Sequence, residues 1–357
     1  MAGPLSENAV ADVEVTVDKQ PLFGKGGLGA DLLEITVEDT LDGASRFSLR
    51  INTWDLDQQQ LSWVDRLAVG AEISIALGYI GGDNSTIFVG DVITLELSLG
   101  AGKAPLLTAS GYDVRHRLGR EAKVEKHQEE KHSDIARKLI ERNQLTAEVT
   151  DTVDKYPPTF QDNRTDLELL RDLAAKNLFV LLARAATVSF GPAPSDVVTL
   201  SPNSELSGTP QELSDFDARF SAERLTKQIE AKWQDEKSKP QTYSENVTLL
   251  SLPGVLSVDS GKIDRLVAAA DKVQGDVIKT PEDAKKRVAA RVLEQVESLI
   301  TGSGRCPGNP AIRAGVLLAI RDVGERFSGT YRVTSATHSY SPAAGYVTSF
   351  QLKGVPK

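Results

Sequence analysis

The sequence has very few of the residues that build disulfides and soft-metal centres. Its 357 residues include a single cysteine, Cys306, and four histidines. One cysteine cannot form an internal disulfide, and no further soft ligands cluster around it to suggest a zinc or iron–sulfur centre. We therefore predict no metal site and no cofactor.

Long apolar runs and a basic charge balance are missing as well. No stretch of about 18 apolar residues could span a membrane, and the start, MAGPLSENAVADVEV, lacks the basic and apolar regions of a signal peptide. The formal net charge is −9, whereas nucleic-acid-binding proteins carry a basic surface. We expect cytoplasmic synthesis, no membrane insertion and no direct sequence-specific binding of nucleic acid.

The remaining composition is that of an ordinary globular protein, with 40% hydrophobic and 25% charged residues. Because a single hydrophobic core stops growing at roughly 250–300 residues, this length predicts two or three domains.

Alternating apolar and polar residues in the first third predict β-strands. The segments are SRFSLRIN, EISIALGY and ITLELSL, and glycine-rich turns separate them. In the last segment, one face carries four apolar residues that we expect to be half-buried: Ile93, Leu95, Leu97 and Leu99. These strands predict a first β-barrel domain over residues 1–112.

One glycine-rich segment, GKGGLG at 24–29, matches the GxGxxG spacing of dinucleotide-binding loops. That motif requires a helix directly after it, and the following ADLLEITVED has the pattern of a strand. We interpret these glycines as a hairpin turn.

Helical periodicity appears after residue 113. Ser133 is a suitable N-cap for DIARKLIERN, and Thr165 to Glu168 form a capping box before a second amphipathic helix. The segments FVLLAR and ATVSFG then have the pattern of paired strands. Together they predict a small α+β domain over residues 113–210.

The β-pattern returns in LTKQIEAKW, and we assign residues 211–357 to a second β-barrel domain. Two additions are predicted within it. The polar, loosely patterned residues 235–279 indicate a mobile insertion. A helix over about 281–301 begins at an N-cap threonine followed by proline and ends at Gly302.

The two β-regions resemble each other. In the first, Gly70 precedes a strand and Phe88 to Gly90 precedes a long strand; in the second, Gly315 and Phe327 to Gly329 stand in the same order. Such a repeat predicts two similar β-barrels separated by the α+β domain. We place the two Phe-x-Gly segments in corresponding turns and predict that they lie at subunit interfaces.

His338 lies in the predicted hairpin YRVTSATHSYSPAAGYVTSFQLKG, on the same strand face as Tyr340 and opposite Tyr331 and Val333. The sequence has no GxSxG nucleophile turn, and His127 and His132 do not form an HExxH motif. We predict no catalytic residue and assign His338 and Tyr340 to packing or to a subunit contact.

The order of these motifs resembles that of one family. The segments VGAEISIALGY, IFVGDV, TFQDNRTDLELLRDLAAKN, DFDARFSAERLTKQIEAKW and GTYRVTSATHSY with GYVTSF are similar to baseplate hub proteins. These are the late control D proteins of contractile phage tails and the hub portion of type VI secretion spikes. The resemblance covers nearly the whole chain.

The resemblance implies a homotrimeric ring whose two barrels per chain give pseudo-six-fold symmetry. Such a ring adapts a hexameric tail tube above to a trimeric spike below. Baseplate wedge components and a tape-measure protein are further implied partners. Because the chain stops after the final predicted strand, we expect the spike, of OB-fold and β-helix type, to be a separate polypeptide. The implied role is structural, in a phage tail or injection-system baseplate, and not enzymatic.

A cell-wall glycan-binding or hydrolytic module is the alternative function. It would need clustered exposed aromatic residues or a close carboxylate pair in a cleft. The three tryptophans, Trp54, Trp63 and Trp233, fall in two separate segments with an alternation typical of core positions, which favours the structural role.

Overall fold

The computed structural model describes residues 10–23, 31–55, 59–128, 130–152, 158–202, 212–234, 240–246, 268–273, 278 and 280–355. Within these ranges the protein is mainly β, as predicted, with a smaller helical part. No helix in them has the length and hydropathy needed to cross a membrane. The predicted glycine hairpin at 24–29 lies outside the described residues.

Strands β1 to β9 make up what we call the first β-unit. They are β1 (Ala11–Val17), β2 (Gln20–Phe23), β3 (Leu32–Thr40), β4 (Arg46–Asn52), β5 (Trp54–Asp55), β6 (Gln60–Leu61), β7 (Glu72–Tyr79), β8 (Ser85–Gly100) and β9 (Lys103–Asp113). The sheet order is β3-β4-β9-β8-β7-β1-β2, with β5 paired to β6 separately. The predicted alternation of β4 and β7 is confirmed, since their inward residues such as Leu49 and Ile75 are fully buried.

The middle segment contains two helices and two small sheets. It comprises a 3₁₀-helix (Val114–Gly119), β10 (Ala122–His127), α1 (His132–Glu141), β11 (Thr146–Val149), β12 (Thr159–Thr165), α2 (Asp166–Lys176), β13 (Phe179–Arg184) and β14 (Thr187–Pro192). The predicted capping box starts α2, because the Thr165 side chain and that of Glu168 each accept from the other's backbone N–H. A separate core of fourteen buried side chains, including Leu139 and Phe190, holds this segment together.

Six strands form the second β-unit. They are β15 (Val197–Leu200), β16 (Asp215–Phe220), β20 (Ile300–Pro307), β21 (Leu317–Ile320), β22 (Gly329–Ser341) and β23 (Gly345–Val355). Their order is β16-β20-β23-β22-β21-β15, and β15 runs parallel to β21. Because β15 precedes residue 210, this sheet takes one strand from the range that the sequence assigned to the middle domain.

A third, smaller sheet packs on a helix within the C-terminal part. It contains β17 (Thr226–Trp233), β18 (Gln241–Asn246) and β19 (Ala268–Lys272), and α3 (Pro281–Glu297) covers it. The described parts of the predicted insertion at 235–279 are therefore strands of a sheet, and the rest lies outside the described residues. The predicted helix end at Gly302 is wrong: α3 ends at Glu297, and Gly302 belongs to β20.

The internal repeat is present in the backbone. The order β3-β4-β9-β8-β7 of the first unit matches β16-β20-β23-β22-β21 of the second. The sixth strands differ in direction, since β1 runs antiparallel to β7 whereas β15 runs parallel to β21. Gly70 and Gly315 have φ angles of +93° and +91°, which favour glycine. Their N–H groups donate to Val92 and Val333, each at 2.8 Å. A β-bulge follows that valine in both β8 and β22. The shared detail identifies β8 and β22 as equivalent strands.

The two units form one continuous sheet, because β22 pairs with both β23 of its own unit and β3 of the first unit. The path of paired strands through the described residues is open at both ends and does not close into a barrel. The predicted pair of closed barrels is thus not seen in these strands.

The outer half of β8 differs from the prediction. We expected its alternating apolar residues to be half-buried, yet Ile93, Leu97 and Leu99 are 37%, 45% and 66% exposed. Of these four residues, Leu95 alone packs against the hydrophobic core of the first β-unit. The hairpin of β8 and β9 projects past the strands that would cover it.

Candidate assembly site: the joint between the two β-units

The outer half of β22 lies on β3 and forms what we call the joint between the two β-units. Its antiparallel register pairs Ser335 with Thr40 and Tyr340 with Ile35. This contact brings the C-terminal hairpin of the chain onto an edge strand of the first unit. The joint is therefore an interface between the repeats, made within one chain.

The bulge after Val333 changes which residues of β22 face inward. Tyr331 and Val333 are buried before the bulge, and Ala336, His338 and Tyr340 are buried after it. The prediction that His338 lies opposite Tyr331 and Val333 was wrong for this reason, since a bulge shifts the alternation by one residue. Tyr331 and Val333 belong to the hydrophobic core of the second β-unit, the second core, whereas Tyr340 belongs to that of the first β-unit, the first core.

His338 is fully buried at the centre of the joint. Its Nδ1 lies 2.9 Å from the Tyr346 hydroxyl and 3.2 Å from Oγ1 of Thr348. Burial lowers its pKa to about 3; the Arg313 charge lowers it too, whereas Asp39 and the Ile312 carbonyl act in the opposite direction. Nε2 finds no partner in regular hydrogen-bond geometry among the described residues. The ring is therefore neutral at ordinary pH and is held by two hydroxyl groups.

Aromatic side chains complete the first core from the other unit. Tyr340 and Tyr346 are 3% and 4% exposed and pack among the residues of the first unit. The Tyr79 hydroxyl of β7 donates to the Gly308 carbonyl at 3.0 Å. A Cβ at Gly308 would lie 2.1 Å from the Tyr346 ring, so only glycine permits this approach.

A buried ion pair crosses the joint. Arg313 Nε donates to Asp39 at 2.6 Å, and the Ala314 backbone N–H donates to the same carboxylate at 3.3 Å. Burial raises the pKa of Asp39, but the charge and hydrogen bond of Arg313 outweigh it and hold that pKa below its ordinary value. The carboxylate is therefore ionised and fixes the second unit against β3.

A second buried cation links the middle segment to this joint. Arg115 is 2% exposed and pairs with Asp113 at 2.7 Å, while it also donates to Ser45 at 2.7 Å. Its Nη1 donates to the backbone carbonyls of Thr40 and Leu181, each at 3.1 Å. The donors of a buried guanidinium need such partners, so Arg115 ties β13 of the middle segment to β3 of the first unit.

The two Phe-x-Gly segments do not occupy equivalent places. Phe88 and Gly90 lie inside β8, where a Cβ at Gly90 would lie 2.3 Å from the Tyr112 carbonyl oxygen. Phe327 lies in the turn before β22, and Gly329 begins that strand. The register of β8 and β22 makes Gly90 equivalent to Tyr331, so the sequence alignment is displaced by two residues.

Within the described residues, no group of three histidine, cysteine or carboxylate side chains could hold a metal ion. A cleft of about 740 Å³ lies between α2 and α3, and its carboxylates Asp172, Asp271 and Glu297 pair with basic neighbours. Trp63 packs against the hydrophobic core of the first unit and Trp233 against that of the small third sheet, whereas Trp54 is 36% exposed, so the expected core position is wrong for Trp54.

Sequence reasoning identified His338 and Tyr340 as contact residues but missed the charged ones. Asp39 and Arg313 are 274 positions apart, and no local pattern relates them. The only available signal was the repeat, which suggested that equivalent units should contact each other.

The fold is shared with phage tail proteins and secretion-system components. The 43 kDa tail protein of prophage MuSo2 from Shewanella oneidensis superimposes with a TM-score of 0.70 at 14% identity, over 96% of this chain and 98% of that chain. A tail protein from Neisseria meningitidis MC58 gives a TM-score of 0.69 at 13% identity, over 96% of each chain. The E. coli c3393 protein, a component of the type VI secretion system, gives a TM-score of 0.57 at 11% identity, over 96% of this chain and 76% of that chain.

Sequence comparison gives a family and no closer relative. No curated protein sequence matches this chain. A family model described as the Alg8 N-terminal domain matches residues 11–341, which is most of the chain. The protein therefore belongs to the Alg8 N-terminal domain family.

Proposed function

We propose that this protein is the structural baseplate hub of a contractile phage tail or a tail-like injection system, of the late control D type. Three copies form a ring that joins a hexameric tube to a trimeric spike. The observation that carries this proposal is the duplication of one β-unit within a single chain. Two equivalent units per chain give a trimer six similar surfaces, which a hexameric tube requires.

The joint supports this proposal because it is a contact between unlike faces of two equivalent units. The outer half of β22 in one unit meets the edge strand β3 of the other. Contacts between unlike faces repeat from one unit to the next and generate a ring when the rotation between units closes. We propose that each unit completes a tube-type barrel within that ring, with domain boundaries near residues 112 and 196.

The likeness in fold to tail proteins and to a type VI component supports a place for this protein in a phage tail or an injection system. We infer that the tube protein binds above the ring, a separate spike protein binds below it, and wedge components bind outside. A tape-measure protein is a further candidate. The chain would be made in the cytoplasm and assembled there, without a catalytic role.

The predicted contact residues divide into two groups under this proposal. Phe88, Gly90, His338 and Tyr340 are buried within the chain and shape the units and their joint. Phe327, which is half-exposed in the turn beside Gly329, is our candidate for contact with a partner.

Imaging of the purified protein by negative stain, alone and mixed with the spike encoded beside it, tests this function. We expect rings of three chains with six peripheral densities around an open centre, and a central projection when the spike is present. Compact single particles in both samples, with no binding of spike or tube protein in pull-down, would refute the hub function.

A further inference from the structure

The two equivalent hairpins of the repeat have different neighbours. Along one edge, β22 pairs first with β21 and then, beyond its bulge, with β3. Its equivalent β8 pairs with β7 over residues 85–91, and beyond its bulge no strand among the described residues takes the same edge. Within the part of the chain that the structure describes, the outer half of β8 therefore presents a free edge where its counterpart has a partner.

Exposure of the side chains agrees with an absent partner. The bulges make Thr94 equivalent to Ser335, so Leu97 corresponds to His338 and Leu99 to Tyr340. His338 and Tyr340 are 0% and 3% exposed, whereas Leu97 and Leu99 are 45% and 66% exposed. Exposed leucines on a long free strand edge favour strand addition by another chain.

The missing partner can be identified from the repeat, since the joint pairs β22 with β3 and the counterpart of β3 is β16. Leu49 and Gly304 pair with equivalent residues of β9 and β23, so they occupy equivalent positions. Ile35 pairs with Leu49 and Phe216 pairs with Gly304, so Ile35 corresponds to Phe216. Among the described strands, β16 pairs with β20 alone. Its Phe216 and Phe220 are only half-buried on the second core, whereas Ile35 is fully buried.

We propose that β16 of a second copy of this chain pairs antiparallel with the free edge of β8, in the register of the joint. The transferred register is obtained from backbone pairings alone. It places apolar residues opposite apolar residues on one face and Glu96 opposite Arg219 on the other. The cross-strand pairs are Thr94 with Ser221, Leu95 with Phe220, Glu96 with Arg219, Leu97 with Ala218, Ser98 with Asp217 and Leu99 with Phe216.

The side chains match although they played no part in the register. Aromatic–aliphatic and opposite-charge pairs stabilise neighbouring antiparallel strands, whereas a slip by one residue would exchange the two faces. The Arg219 side chain is 73% exposed and pairs with Glu223, which is itself exposed, so it is accessible to Glu96 of another copy. We name this contact, between β8 of one copy and β16 of the next, the trans joint.

The trans joint has a consequence for assembly. It links the first unit of one copy to the second unit of another, while the joint within each chain links the two units of that chain. The two contacts alternate head to tail, which excludes a two-fold dimer and generates a ring when the rotation between copies closes. This inference deepens the proposed hub function by naming a second copy as the partner of the free edge.

Disulfide crosslinking of the full chain tests the register. Leu97→Cys with Ala218→Cys and Ser98→Cys with Asp217→Cys are two successive cross-strand pairs, one of which is of the closer, non-hydrogen-bonded type. We expect mild oxidation to yield covalent oligomers that reduction reverses. The native Cys306 is buried and its thiol pKa is raised to about 12, so it serves as an unreactive background.

Two controls make the crosslink specific. The double variant Leu99→Cys with Phe220→Cys places its two cysteines four residues out of register. They would lie roughly 13 Å apart along the strands and should not crosslink. A mixture of the two single variants Leu97→Cys and Ala218→Cys should give dimers and no larger species, which proves that the bond joins different chains. Failure of both in-register pairs, with and without the co-expressed spike, would overturn the proposal, as would equal crosslinking of the out-of-register pair.

A charge exchange tests the same contact without cysteine. Arg219→Glu places two carboxylates opposite each other, and we expect association to weaken about two- to five-fold, as such cross-strand pairs do. The double variant with Glu96→Lys should restore association. No weakening by Arg219→Glu, or no rescue by Glu96→Lys, would contradict the proposed register.

These outcomes are independent of the hub function. Rings seen by imaging without in-register crosslinks would leave the hub function in place and reject the trans joint. Crosslinked rings that bind neither spike nor tube protein would establish the trans joint and reject the hub function.

Discussion

The hairpin of β8 and β9 and the hairpin of β22 and β23 are built alike but differ in what covers them. Both have a bulge after a valine that accepts a hydrogen bond from a left-handed glycine. One outer half is buried on β3 and carries His338 and Tyr340; the other is exposed and carries Leu97 and Leu99. Equivalent backbones thus serve one contact inside the chain and leave one edge available outside it.

The difference shows that two units with the same fold can use different side chains for different contacts. The contact within the chain uses buried polar groups, including the Asp39–Arg313 pair, which are costly to leave unpaired. The free edge uses leucines and single exposed charges, which water tolerates before association. The predictions below compare the two hairpins, the two units, or the joint with the surface outside it.

The largest effect is expected for the equivalent pair Tyr340 and Leu99. Tyr340→Ala empties a buried position in the first core and should lower the free energy of unfolding by about 3–4 kcal/mol. Leu99→Ala removes a side chain that is 66% exposed, so it should change that free energy by less than about 0.5 kcal/mol. Urea unfolding of dilute protein measures both, and equal losses would contradict the equivalence drawn here.

The next effect concerns ion pairs inside and outside the joint. Arg313→Met leaves the Asp39 carboxylate buried without its cation and should cost about 3 kcal/mol. Arg305 is an exposed residue of β20 that pairs with Asp215. Arg305→Met should lower the free energy of unfolding by less than about 1 kcal/mol. Thermal and urea unfolding would show the contrast; a small loss for Arg313→Met would mean that the joint does not depend on this pair.

A smaller effect follows from the His338 ring, whose counterpart Leu97 does not titrate. Its pKa is lowered from 6.5 to about 3 by burial, so the fold favours the neutral form. That contribution is complete above the unfolded pKa and is lost as pH falls below 6.5, by at most about 1.4 kcal/mol per pH unit, which amounts to about 2 kcal/mol between pH 6.5 and 4.5.

His338→Leu, which copies the residue of β8, isolates this contribution. We expect lower stability than the natural protein at neutral pH, since Tyr346 and Thr348 lose their partner, but a shallower loss on acidification. His132, whose pKa is lowered to about 4, titrates in both proteins and cancels in the comparison. Parallel stability curves between about pH 6.5 and 4.5 would contradict the assignment.

The smallest effect is expected for Gly70 and Gly315, the two equivalent glycines with positive φ angles. Gly70→Ala places a Cβ in open space but at φ +93°, which should cost about 1–2 kcal/mol of backbone strain. Gly315→Ala adds a contact of 3.3 Å with Pro194 to a similar strain and should cost slightly more. A stabilising effect of either substitution would show that the turn can change its φ without harm.

Much of the fold could be predicted because alternation and capping are local. The strands β4 and β7 and the capping box of α2 were correct for that reason. The end of α3 was not, because Leu299 continues the apolar pattern beyond Glu297 although it lies outside the helix. The bulge of β22 leaves no sign in the sequence and moved His338 to an unexpected face.

The outer half of β8 shows the limit of the alternation argument most clearly. Alternating leucines correctly predicted a strand with one apolar face, but not whether the same chain covers that face. The joint was equally hidden, because the Asp39–Arg313 pair brings together residues 274 positions apart. Only the repeat linked the two observations.

The contribution of β22 to both cores bears on how the chain is synthesised. The first unit is translated early, yet Tyr340 and Tyr346, which fill its core, leave the ribosome long after β3 does. Until then, the apolar side chains of β3 lack one of their covers, and the nascent first unit is a natural client for chaperones. Pauses in translation between residues 113 and 328 would prolong that exposure.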